Sequence, residues 1–268
     1  MAATFLAYLM TRLLVPAGIK KFALLNWTKK NYKGNSIPIG LGFILIPPSV
    51  LVLFAWYYTI SPIAISFYAG AIIITGLIGL YDDLKGDTQI KGLKGHFKNL
   101  LFKGKFSTGM LKAFTGVFIA FIGALLFSDS LLDFMVNFLI IILFTNAFNL
   151  FDLRPGRCIK ALFTVSVFLL FMAFILNNTS IVLLYPLLGC ILAYAPFDLK
   201  AKSMLGDAGS NFIGMSVGIV SVLVLPFLMN ILIVLVLIML HWYTEKKSLN
   251  SLIESNQFLS HLDHWGRS

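Results

Sequence analysis

Charge is scarce in this chain: Asp, Glu, Lys and Arg make up only 12% of the 268 residues, and mean hydropathy is +0.90. With 59% of residues hydrophobic, no water-soluble core could hide the apolar surface, so soluble classes are excluded and an integral membrane protein remains. Cysteine is scarcer still. Cys158 and Cys190 are too few and too badly placed for a disulfide framework and lack metal-ligand spacing, which leaves two packed thiols. A cleavable signal is not expected, because Arg12 follows the first apolar residues instead of preceding them. Basic residues are in surplus, 21 Lys and Arg against 11 Asp and Glu. Beside apolar spans, that surplus marks a cytoplasmic face, and no nucleic-acid partner is expected.

What is present is a series of apolar runs. Nine segments are long enough to read as helices at the membrane: about 2–19, 38–59, 60–81, 110–127, 131–150, 159–176, 180–197, 209–225 and 227–243. Arg12 lies within the first, Pro47-Pro48 interrupts the second and Pro226 separates the last two. The expected fold is all-α: one polytopic helical bundle over 1–243 with a cytoplasmic tail over 244–268. Alternating the spans sorts the connections into two sets. Arg12 apart, every Lys and Arg lies in or beside 20–37, 82–109, 151–157, 198–210 or the tail, and none lies in the other set. The positive-inside rule then puts the N-terminus outside and the tail in the cytoplasm.

Seven acids at the helix ends fall on that same face. Asp82, Asp83 and Asp87 follow the third segment, Asp152 the fifth, Asp198 and Asp207 the seventh, and Glu245 the ninth. Adjacent carboxylates at a helix mouth repel each other and are costly to desolvate. Asp82-Asp83 is therefore either a solvated helix end or a site for Mg²⁺, which binds through one or two carboxylates and leaves room for substrate phosphates. In Asn146-Ala-Phe-Asn149-Leu-Phe-Asp152, a spacing of three places the polar groups along one helical face. That stripe suits ligand contacts, or a hydrogen-bonded seam between helices. Leu205-Gly206-Asp207-Ala-Gly209-Ser210-Asn211 opens a helix, and its glycines are expected to expose backbone N–H groups beside an acid, as a phosphate–metal complex requires.

In order and spacing, these three stretches resemble the polyprenyl-phosphate N-acetylhexosamine-1-phosphate transferases (glycosyltransferase family 4), which include the phospho-N-acetylmuramoyl-pentapeptide transferase. The likeness runs over roughly 30–225, and Pro38-Ile-Gly40-Leu-Gly42 is similar to the family's Pro-x-x-Gly-Gly element. The resemblance implies transfer of a sugar-1-phosphate from a UDP-linked HexNAc to a polyprenyl phosphate, with release of UMP, at the cytoplasmic face of a bacterial plasma membrane. It implies Mg²⁺ as cofactor, with Asp207 the leading ligand. Asp82 and Asp83, set ~100° apart around the helix, would divide the work: one serves the acceptor phosphate, and Asp83 is assigned to help hold the metal. Lys33 and Lys112 become phosphate clamps, and Asn146, Asn149 and Asp152 line the nucleotide-sugar site. Partners would be the lipid, the donor and a second copy of the chain as homodimer.

The chain also departs from the pattern. Where the family continues Asp-Gly-x-Asp-Gly-Leu, this sequence reads Asp152-Leu153-Arg154-Pro155-Gly156-Arg157. An acid has become Pro155 and two arginines have arrived; guanidinium forks grip phosphate bidentately, so at least one of Arg154 and Arg157 is expected on the donor, the alternative being that they hold anionic lipid headgroups or anchor the helix end. The family's late His-rich loop is missing, with His241 and 245–248 in the nearest place and His96 another candidate; each lone His reads as structural or solvated. Asp263-His264-Trp265-Gly266-Arg267 reads as a cap over the cytoplasmic face. Two other classes compete with the enzyme. A non-catalytic lipid-binding scaffold would have had no reason to keep four costly acids, and a transporter predicts ionisable groups at mid-bilayer.

Overall fold

A computed structural model describes residues 1–55, 60–86 and 107–267. Asp87, His96 and most of the basic loop expected after the third segment lie outside the described residues. All nine expected apolar segments contain helix. Among the described residues, eight helical stretches are long and apolar enough to cross a membrane. They are α1 (Ala2–Leu24), α3 (Pro62–Lys85), α4 (Thr108–Leu126), α5 (Leu131–Phe151), α6 (Arg157–Leu176), a 3₁₀ turn running into α7 (Thr179–Leu199 together), α8 (Gly206–Val224) and α9 (Phe227–Lys246). The second segment is different: a 3₁₀ turn at Leu41–Leu45 leads into the short α2 (Ile46–Phe54). Pro47 and Pro48 explain the break, since proline fits a helix's first turn but cannot continue one from upstream.

Helix α8 is the axis of the bundle. Of its most apolar stretch, 89% is buried, against 17–61% for the other seven, and it packs on α3, α5 and α6. Its buried Ser216 and Ser221 hydroxyls donate to the carbonyls of Phe212 and Val217, so polar groups in the apolar interior are satisfied within the helix. The outer helices turn large apolar side chains outward, Phe171, Phe174 and Val236 among them, as a lipid-facing surface requires. Cys158 and Cys190 are free and buried, the packed thiols expected.

Two short features shape one end of the bundle. Strands β1 (Thr28–Lys30) and β2 (Ser36–Pro38) form an antiparallel hairpin after α1. Its turn is held by Asn31 Oδ1, which accepts the N–H groups of Lys33 and Asn35 at 2.9 and 3.0 Å. After α9, the chain folds back as α10 (Leu249–Ser255) and α11 (Gln257–His264).

Candidate active site

The acids that end α3 and begin α8 meet at the hairpin end of the bundle. Lys112, in the first turns of α4, sits between them, with its Nζ 2.9 Å from Asp82 Oδ2 and 2.5 Å from Asp207 Oδ2. Asp83 points elsewhere. It is buried, and its two oxygens accept the backbone N–H groups of Asp207 and Ala208 at 2.9 and 3.0 Å. Those amides are orphan donors at the start of α8, so Asp83 caps a neighbouring helix from the end of its own.

Two expectations change here. The adjacent carboxylates point to different partners: Asp82, not Asp83, shares the Lys112 ammonium with Asp207. The N–H groups expected to be exposed beside Asp207 are filled by Asp83. The nearby glycine serves close packing instead: a methyl on Gly42 would overlap the Gly209 backbone. This contact belongs to a stitched seam in which Met204 N–H donates to Pro38 O at 2.8 Å and Gly42 N–H to Leu205 O at 3.1 Å. The Pro38–Gly42 element thus braces the turn that presents Asp207.

The polar stripe on α5 separates into three roles. Asp152, capping the helix C-terminus, reaches the cluster. Burial pushes its carboxyl well above the usual range; the charges of Asp198, Asp83 and Asp207 add to the shift, and a Gly206 amide bond opposes it. Asn149 is part of a helix–helix seam, accepting from Ser210 Oγ at 3.1 Å. Asn146 is exposed. Asn211, one turn after Asp207, ends the stretch read from the sequence but was given no role there: it is buried and its amide nitrogen has no partner among the described residues. Its i,i+4 spacing from Asp207 was the available signal.

The expected phosphate clamps also diverge. Arg154 lies 5.2 Å from the centre of the Tyr32 ring and Lys33 Nζ 5.5 Å from it, both within cation–π range. They line a cavity of about 320 Å³ whose other wall includes Glu254 and His264. Arg157, one of the two candidates for the donor, is buried with its fork filled: Nε and Nη2 donate to Asp263 at 2.9 and 3.0 Å, and Nη1 to Asn250 Oδ1 at 2.9 Å. His241 bonds the Leu237 carbonyl of its own helix, the structural role expected for a lone ring.

Asp263 carries a pH prediction. Burial alone would raise its carboxyl, but hydrogen bonds and charge from Arg157, with Arg267 beside it, outweigh that and hold it below the usual range. A depressed carboxyl adds stability above its unfolded pKa, about 3.9, and loses it as pH falls through the lower folded value. The 248–267 segment should therefore stay docked from neutral pH to about pH 4 and loosen below it. Asp263→Asn should remove that acid step, read as protease cutting within the segment across a pH series.

Whether Mg²⁺ suits this cluster follows from its donor set. Asp82 and Asp207 converge on one point, held by an ammonium, through oxygen donors alone. Among the described residues, no group of three or more His, Cys, Asp or Glu forms a cage. Two carboxylates, with water and substrate phosphates completing the shell, is how Mg²⁺ is usually held. The residues fit.

The described residues thus form a polytopic all-α bundle with a carboxylate–lysine cluster at one end. Residues 65–225, more than half of the chain, match glycosyl transferase family 4, and the chain belongs to that family. Two curated relatives, both called phospho-N-acetylmuramoyl-pentapeptide-transferase, come from Wolbachia sp. subsp. Drosophila simulans (strain wRi) and Wolbachia pipientis wMel. Each is 29% identical over 210 residues, covering 72% of this chain and 61% of the relative's length.

Proposed function

We propose that the protein transfers a HexNAc-1-phosphate from a UDP-sugar to a polyprenyl phosphate such as undecaprenyl phosphate, releasing UMP, in cell-envelope glycan synthesis. The observation that carries this reading is the convergence of Asp82 and Asp207 on Lys112, with Asp152 beside them. A phosphate must attack a diphosphate, so like charges have to be brought together and neutralised. Bound Mg²⁺, held by Asp82 and Asp207, would supply Lewis-acid stabilisation of the phosphoryl oxygens. Lys112, on a flexible stem, is placed to move from the carboxylates onto a phosphate oxygen. Asp83 keeps Asp207 in place through the backbone. Arg154 and Lys33 would meet the donor's anionic groups.

The lipid tail would lie between helices, and the distribution of lysine and arginine orients the site toward the cytoplasm with the N-terminus outside. A plasma-membrane location, with 244–268 as a cytoplasmic tail and a second copy as partner, belongs to the same reading. The convergence speaks against a non-catalytic scaffold, which needs no cation shared between carboxylates.

The test is direct. Purified protein with Mg²⁺, undecaprenyl phosphate and radiolabelled UDP-GlcNAc or UDP-MurNAc derivatives should yield labelled lipid and UMP, and chelation should stop it. No labelled lipid from any of these donors would sink the reading.

A further inference from the structure

Two features stand outside the family's pattern: the paired arginines after Asp152, and the Asp263–Arg267 stretch more than 100 residues later. The structure puts them in contact. Arg157 begins α6 and Asp263 lies in the last turn of α11; both are buried, and the fork–carboxylate pair is bidentate. Five further hydrogen bonds reinforce it. Lys160 Nζ donates to the carbonyls of Leu262 and Asp263 at 2.8 and 2.7 Å, satisfying the C-terminal end of α11. Arg267 Nη2 donates to Asp263 Oδ1 at 2.9 Å, and its Nε to Pro155 O at 3.1 Å. From the other side, Asp198 accepts the Gly156 N–H at 2.6 Å.

These contacts bracket residues 153–156, the loop that follows Asp152. Nothing in that loop is regular structure, so its path depends on what grips it at Pro155, Gly156 and Arg157. We propose that the 248–267 segment is a latch and that Asp263, acting through Arg157 and Arg267, is a positioning residue for Asp152 and Arg154 at the donor site. This rests on the transferase reading above. Arg157 is then a structural anchor: its Nε, Nη1 and Nη2 all donate to the segment, leaving no open fork for a diphosphate. Contact with the donor passes to Arg154 and Lys33 in the cavity that the segment closes with Glu254 and His264.

The experiment uses full-length protein carrying Asp263→Asn, Arg157→Gln, both together, Asp263→Glu, and the milder Lys160→Met. Asp263→Asn and Arg157→Gln should each raise the donor KM by about tenfold, with the acceptor KM nearly unchanged. The double variant should be no worse than the worse single one, because both act through one pair. Asp263→Glu should recover most of the donor KM, and Lys160→Met should move it the same way by a smaller factor. Hydrogen exchange at the amides of residues 153, 154, 156 and 157, read on the same proteins, should quicken in Asp263→Asn whether or not transfer is measured.

A normal donor KM in Asp263→Asn would overturn the latch. So would a lower one, the result if Asp263 merely blocks a phosphate-binding fork, and so would multiplying losses in the double variant. If even the unaltered protein transfers nothing, the transferase reading fails by itself. Exchange then decides the latch: quickened amides keep it and unchanged amides end it.

Discussion

Asp207→Asn should cut sugar-phosphate transfer by about a hundredfold or more, the scale expected when one preorganised charged contact to a developing transition state is lost, while the protein stays folded. The substitution keeps the shape and removes the charge. What holds Asp207 in place is untouched, because Asp83 bonds the Asp207 backbone N–H and not its side chain. What is lost is the carboxylate opposite Asp82 on the shared cation. Asp82→Asn should lose activity too, for the same reason. Asp83→Asn should behave differently. It disturbs two backbone N–H groups, of which the buried Ala208 one costs about 1–3 kcal/mol if left unpaired, so stability should fall along with rate. Thermal midpoints in detergent beside initial rates separate the two classes. A near-normal rate in Asp207→Asn would remove that residue from the metal shell.

The legible part of the molecule was whatever depends on local pattern. Apolar run lengths gave the nine helical segments, and the charge-sorted connections put Asp82, Asp152, Asp198 and Asp207 at one end of the bundle, where they are found. The same patterns could not say which oxygen faces which partner. Asp82 and Asp83 are chemically identical in sequence; their roles separate only because α3 reaches the start of α8 with one side of its last turn. Arg154 and Arg157 could not be told apart for a similar reason. An arginine after Asp152 is compatible with phosphate, and only a contact spanning 106 residues shows the Arg157 fork filled by Asp263. Asn31 was missed because its work is local turn chemistry, which positions Lys33 without touching a ligand. Gly79 gives no sequence signal at all, since a glycine in an apolar span is ordinary there.

Gly79 is nonetheless where the second large effect is expected. It lies one turn before Asp83 and so on the same side of α3. A methyl at Gly79 would overlap the carbonyl of Asp207 and come within 2.7 Å of Ala208 Cα, and these are backbone atoms that cannot swing aside. Its absence lets α3 and α8 approach until Asp83 reaches both amides. Gly79→Ala should push the start of α8 outward by ~1 Å, the size of misplacement that can cost about a hundredfold in rate. Overpacking should also lower stability by about 1–3 kcal/mol. Gly70→Ala is the control. It sits in the same helix with nothing within 4 Å of the added methyl. There alanine should be neutral or stabilise by roughly 0.5–1 kcal/mol through backbone entropy alone. Helix propensity favours both substitutions equally, so any difference between them comes from the contact with Asp207. If the two variants match in thermal midpoint and transfer rate, close approach of α3 to α8 is not what holds Asp207 in place.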